Sequence, residues 1–250
     1  MNQAKVLNFF GLLLIMFGIS FAIPLFVAIF YGESLIRAFA LGMSILVLIG
    51  FLSWFFTKDN KQELSLSDGF VITVLFWIVL SVSGSIPFIL FGFGFVDSFF
   101  ESMSGITTTG ATVIAGLDDL PKSLLIYRQL LQWLGGMGLI VLAIAVMPLL
   151  GIGGGQLFKT QTPGPMSEQR LTPRITSTAR ALWSIYFVLT VLCILAYRLA
   201  GMNNFDAVSH AFSTVSIGGF STHDLSIGFF NSLSIEIVCI TFMLLSAMSF

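Results

Sequence analysis

Long apolar runs alternate with short polar breaks along this chain, and the run lengths decide its class. The runs cover about residues 6–30, 35–56, 70–91, 124–150 and 179–200, and a sixth starts near 229 and continues to 250. A helix needs about 20 mostly apolar residues to cross a bilayer, so each run predicts a membrane-spanning helix. Two segments between them, 94–121 and 202–226, mix Ser, Thr, Gly and charges with Phe and Val, and are too polar to span. A polar stretch at 57–68, with Lys58 and Lys61, and a Gly/Pro/basic loop at 151–176 complete the layout.

Composition agrees with the pattern. Hydrophobic residues make up 56% of the 250 residues and charged residues 9%, with mean hydropathy +0.99. Soluble domains carry about 25% charged residues, so most of this surface must face lipid. A net charge of -1 argues against a nucleic-acid partner. Cys193 and Cys239 lie in apolar runs without CxxC spacing and read as packing residues. The first apolar run lacks a small-residue cleavage site and reads as a retained helix.

Basic residues orient the layout. With the N-terminus inside, Lys5, Lys58, Lys61, Lys159, Arg170, Arg174 and Arg180 fall on the inner side, against Arg37, Lys122, Arg128 and Arg198 outside. The positive-inside rule expects that bias. It requires each mixed segment to enter the membrane and return to the same side. Glu33, Asp97, Glu101, Asp118, Asp119, Asp206 and Asp224 then collect outside, either as a cation-attracting mouth or as ordinary solvated charges.

The two mixed segments repeat at a spacing of 109 residues. Asp97 matches Asp206, Glu101 matches His210, Ser104 matches Ser213, Thr107 matches Ser216, Gly110 matches Gly219 and Thr112 matches Ser221. Each lies between two apolar runs, so the unit is helix, re-entrant segment, helix. Irregular backbone at membrane depth is tolerated only inside protein or against a water-filled cavity. The spacing predicts a short helix in each segment, begun and capped by Asp97 or Asp206. Phe99, Phe100, Met103, Val208 and Phe212 would pack it into its neighbours. Its partly negative C-terminal end would face a cation, and the carbonyls and hydroxyls beyond it are hard oxygen ligands suited to alkali ions. Gly110 and Gly219 would let successive carbonyls face one axis.

At these residues the chain resembles the Trk/Ktr/HKT superfamily of cation transporters, and within it the TrkH type. Residues 99–112 (FFESMSGITTTGAT), 127–129 (YRQ) with 132–138 (QWLGGMG), 163–165 (PGP), 200–202 (AGM) and 217–224 (IGGFSTHD) carry the likeness. The resemblance implies an all-α integral membrane fold: two N-terminal helices, then four helix–pore-loop–helix repeats around one pore, each with a central filter glycine. On this chain that places two N-terminal helices at 1–67, a first repeat at 68–150, a cytoplasmic loop at 151–176 and a second, incomplete repeat at 177–250. It implies potassium transport across the bacterial cytoplasmic (inner) membrane by a multi-pass protein, with sodium or a proton as a further ion and symport as one mode. The filter would be Thr107, Thr108, Thr109, Gly110, Ser216, Ile217, Gly218 and Gly219, with potassium at Thr108, Thr109, Ile217 and Gly218. It implies a homodimer embedded in lipid and a cytoplasmic nucleotide-binding TrkA-type subunit, with no organic cofactor in this chain. Two strands of four would leave the chain alone an incomplete pore. A non-conducting assembly or scaffold fragment is the alternative.

The remaining features fit a transporter better than an enzyme. No facing Asp pair, His cluster or Ser/His arrangement stands at helical spacing. Gly151–Gly155 lacks the preceding strand that a phosphate loop needs, and Lys159, Arg170 and Arg174 mark either a docking surface or a solvated loop. Gly135, Gly136 and Gly138 read as close-packing positions rather than a hinge. Pro24 and Pro148 adjust helix geometry. Arg128 and Arg198 are expected to snorkel at the outer boundary. Glu236 stands in an apolar run near the membrane edge. His210 and His223 lack metal-ligand spacing.

Overall fold

The structure, a computed structural model, describes residues 3–58, 66–146 and 171–249. The glycine run at 151–155, Pro148, Lys159 and Arg170 lie outside the described residues. Ten α-helices occur among the described residues: α1 Gln3–Ser20, α2 Ala22–Tyr31, α3 Ile36–Thr57, α4 Leu66–Gly84, α5 Ile86–Phe91, α6 Phe95–Ile106, α7 Lys122–Val146, α8 Leu171–Leu199, α9 Asn204–Val215 and α10 Leu233–Ser249.

Two expected spans are each broken once. The run Gln3–Tyr31 is 29 residues long and breaks at Phe21, three residues before Pro24. Proline has no N–H to give the preceding turn, so the helix restarts as α2. The run Asp68–Phe91 breaks at Ser85, just ahead of Pro87 at the start of α5. The break frees the Gly84 carbonyl, which accepts a hydrogen bond from the Tyr127 hydroxyl at 2.7 Å. Around that bond the rings of Phe21, Phe39 and Phe88 meet Tyr127 at centroid distances of 5.3–5.4 Å. This aromatic knot ties α2, α3 and α5 to α7.

Glycine sets the closest approach of α1 and α3. A methyl group built on Gly50 would lie 2.6 Å from the Gly11 carbonyl oxygen, so the two backbones touch as small residues allow in membranes. Helix α8 begins at Leu171, inside the expected loop, because Pro173 falls in its first turn, where a missing N–H costs little. Its tyrosines hold the second half together. Tyr186 donates to the Trp133 carbonyl at 3.0 Å on α7, and Tyr197 shares a 2.7 Å hydrogen bond with Thr214 on α9. The outward faces of α1, α3 and α8 present residues such as Met16, Leu48 and Phe187, each more than half exposed. An apolar surface that continuous suits lipid rather than water.

Candidate functional site

The two mixed segments adopt one backbone path twice, in register at 109 residues. Helix α6 covers 95–106 and α9 covers 204–215. Each is preceded by a positive-φ glycine, Gly92 and Gly201, and each ends in the same turn. In the first, Thr108 N–H donates to Gly105 at 3.0 Å and Thr109 N–H to Ser104 at 2.9 Å. In the second, Ile217 N–H donates to Thr214 at 3.1 Å and Gly218 N–H to Ser213 at 2.8 Å. This paired closure normally places glycine at the left-handed position. Here that position holds Thr108 and Ile217, each at φ 55°. Left-handed backbone costs an L-residue about 1–2 kcal/mol, and strain of that kind persists where surrounding contacts impose it. Two residues further on, Gly110 (φ 78°) and Gly219 (φ 86°) return to the same region. The predicted Asp97 and Asp206 caps are displaced. Both acids sit in the first turn, two residues past the first helical residue, and the second helix is capped by the Asn203 side chain, which accepts from Asp206 N–H at 2.9 Å.

The short helices bury their polar sides. Helix α6 buries Ser98, Glu101, Ser102 and Ser104, while Phe95, Val96 and Phe100 are exposed. Phe100 therefore does not pack the helix inward as the sequence suggested. Met103, which accepts from the Ser81 hydroxyl at 3.1 Å, and Phe212, stacked on Trp133 at 5.2 Å, do pack. Thr112 and Ser221, equivalent residues past the glycines, are held from behind by equivalent helix residues. Thr112 donates to Glu101 at 3.0 Å, and Ser221 bonds His210 Nε2 at 3.0 Å.

Arg128 corrects the sequence reading most sharply. It does not snorkel; it is completely buried with Glu101, and the pair is 2.7 Å apart. Its Nη2 donates to the Thr112 hydroxyl at 3.0 Å and its Nη1 to the Ser221 carbonyl at 3.0 Å. The guanidinium lies over the Phe220 ring at 4.4 Å. Glu101 thus leaves the outer mouth, where sequence placed it, and stands behind residues 107–112, the first irregular strand; residues 216–221 form the second. Gln132 supports the second strand by accepting from Phe220 N–H at 3.1 Å. An ionisable residue within a spanning run is by default functional and paired, and that signal was available for Arg128. Its partner lies 27 residues away and only the fold brings them together. Arg198 is exposed and donates to the Met202 carbonyl, as a boundary residue would.

Helix α7 is the axle of both segments. A methyl on Gly135 would fall on the Ile106 carbonyl at the end of α6, one on Gly136 would meet Ser216 Cβ at 3.2 Å beyond α9, and one on Gly138 would meet Phe76 at 2.9 Å. These are packing positions. Where the strands approach each other, a methyl on Gly110 would fall on the Gly218 carbonyl oxygen.

The predicted outer acids take specific places. Glu33 accepts from Lys122 N–H at 2.7 Å and Ser123 N–H at 3.0 Å, which neutralises the free donors and positive end of α7. Asp118, beyond the first strand, bonds His223 of the second, and the bond from His223 is the main cause holding its carboxyl below the usual 3.8. Asp206 accepts from Thr222 at 2.8 Å. Asp118, Asp206, Thr222 and His223, with Tyr31, Lys122 and Asn203, line an open cavity of about 470 Å³. Asp97 and Glu236 are exposed.

The profile of the TrkH family, described as cation transport protein, matches residues 35–250. The chain is 51% identical to the Trk system potassium uptake protein TrkH of Halomonas elongata, and 47% identical to that of Escherichia coli K12. Each alignment covers 100% of this chain and 52% of the relative. The crystal structure of the potassium transporter TrkH from Vibrio parahaemolyticus superposes with a TM-score of 0.87 at 47% identity, over 99% of this chain and 50% of that one. The chain spans about half the length of the curated relatives it matches.

Proposed function

The chain belongs to the TrkH family of cation transport proteins, a family of transporters and not of enzymes, and from that premise we propose that it forms part of a potassium-selective pore. The observation that carries the reading is the doubled backbone. Two strands 109 residues apart alternate left-handed residues, at 108 and 110 and at 217 and 219, with residues outside that region. Left-handed positions let successive carbonyls face one side, and rings of such carbonyls replace an ion's hydration shell. The ligands we assign are the carbonyls and hydroxyls of Thr107, Thr108, Thr109, Gly110, Ser216, Ile217, Gly218 and Gly219, with potassium held at Thr108, Thr109, Ile217 and Gly218. Each strand centres on one left-handed glycine, which gives fewer well-formed sites and weaker discrimination against sodium.

The acidic cavity bearing Asp118 and Asp206 would concentrate cations outside the strands. The remaining length of a complete transporter would supply two more strands. A homodimer, a TrkA-type cytoplasmic subunit docking at 151–176 and a symported sodium or proton belong to the same proposal, in the bacterial cytoplasmic membrane.

Tracer rubidium uptake in potassium-uptake-deficient cells tests the reading. The complete transporter should take up rubidium and lose competition selectivity when Gly110 or Gly219 is replaced by a bulky residue. The 250-residue chain alone should not restore uptake. Unchanged selectivity in both glycine variants would remove the strands from the ion path.

A further inference from the structure

We infer that Arg128, clamped by Glu101, is a positioning residue that fixes the distance between the two filter strands and thereby the size of ion they select. This rests on the reading of those strands as a filter and adds a device behind them. The observation is one guanidinium reaching equivalent positions of both strands. Nη2 donates to the hydroxyl of Thr112, two residues past Gly110, and Nη1 to the carbonyl of Ser221, two residues past Gly219. The third donor, Nε, is held by Glu101 at 2.7 Å. Glu101 also accepts from Thr112 and, at 3.3 Å, from Val113 N–H, so it anchors the first strand while it orients the arginine. Phe220 closes the face of the guanidinium.

Geometry, and not charge alone, is what the arrangement uses. A planar fork with donors in fixed directions spans two strands at one separation, and a lysine ammonium is a point charge that cannot do so. A buried ion pair is in itself weak evidence for stability, and its best-attested use is to specify register. Across the repeat the clamp is asymmetric. His210 takes the place of Glu101 and holds Ser221, but the arginine comes from the first repeat alone.

The test uses the complete transporter in liposomes, with sodium-over-potassium selectivity measured by competition against rubidium flux. Arg128→Lys keeps the charge and loses the fork. It should raise relative sodium permeation by about tenfold, the equivalent of one charge-assisted hydrogen bond, with potassium flux retained. Thr112→Val removes the hydroxyl between Glu101 and Arg128 and should shift the ratio in the same direction, while Thr112→Ser restores it. Should Arg128→Lys fail to assemble, the Thr112 pair decides. Wild-type selectivity in Arg128→Lys and in Thr112→Val overturns the inference, as does an equal shift in Thr112→Val and Thr112→Ser. Gly110→Ala serves as the separate control. If it shifts selectivity and the clamp variants do not, the clamp alone is wrong. If Gly110→Ala shifts nothing, the filter reading falls first.

Discussion

Replacing Gly135 by alanine should do damage that the same change three residues later does not. The new methyl at Gly135 would meet the end of α6 at its backbone: the Ile106 carbonyl oxygen, its carbon at 2.7 Å and Cα at 2.9 Å. Backbone at a closed helix end cannot rotate aside, so α6 or α7 must shift. Overpacking of that kind costs about 1–3 kcal/mol. Alanine regains up to about 1 kcal/mol of helix propensity, which leaves a net loss of up to roughly 2 kcal/mol. At Gly138 the nearest atom is Phe76 Cζ at 2.9 Å, the tip of a ring that can tilt, so the propensity gain should nearly cancel the clash. Thermal unfolding of the complete transporter in detergent would read both, with rubidium uptake in parallel. Gly135→Ala should melt earlier and lose uptake, because the strand at Thr107–Gly110 follows directly from the displaced turn. Gly138→Ala should match the wild type in both. Equal behaviour of the two variants would refute the claim that α7 positions the strand through backbone contact.

Other consequences are as specific. Gly110→Ala should be more harmful than Gly219→Ala, because both need left-handed backbone, at about 1–2 kcal/mol for alanine, but only Gly110 also faces the Gly218 carbonyl; sodium competition in rubidium uptake ranks them. Thr108→Gly or Ile217→Gly should leave the thermal midpoint at or slightly above wild type, since about 1–2 kcal/mol of relieved strain is largely offset by roughly 0.4–1 kcal/mol of added unfolded-chain freedom. A large drop would show that their backbone is not what these residues are held in. Tyr127→Phe should cost about 1–3 kcal/mol in denaturation, by leaving the buried Gly84 carbonyl unpaired. Asp118→Asn should cost under about 1 kcal/mol at pH 7, as an exposed pair does. Because the folded carboxyl titrates below 3.8, that contribution is present above 3.8 and fades as pH falls through the lowered value, so wild type and variant should converge in acid.

The spanning runs and the 109-residue repeat were legible in sequence because both are local patterns. The doubling of Gly110 in Gly219 anticipated the doubled left-handed backbone, though Thr108 and Ile217 carried no sign of it, since neither residue type favours that conformation. Pro24 signalled the break at Phe21, whereas the break at Ser85 was hidden inside an apolar run, where hydropathy registers length and not helix continuity. Arg128 was misread for a related reason. Hydropathy ranks a charge by its cost in lipid, and Glu101, Thr112 and Ser221 remove that cost from three separate stretches of chain. Of the apolar residues expected to face inward on α6 and α9, Met103 and Phe212 do and Phe100 does not, because in a membrane the protein interior can take the more polar side.

Anomalous diffraction from rubidium-soaked crystals of the complete transporter addresses the central claim most directly. The account predicts rubidium peaks within coordination distance of the carbonyls of Thr108, Thr109, Ile217 and Gly218. Ordered rubidium elsewhere along the pore, with none beside these carbonyls, would contradict it.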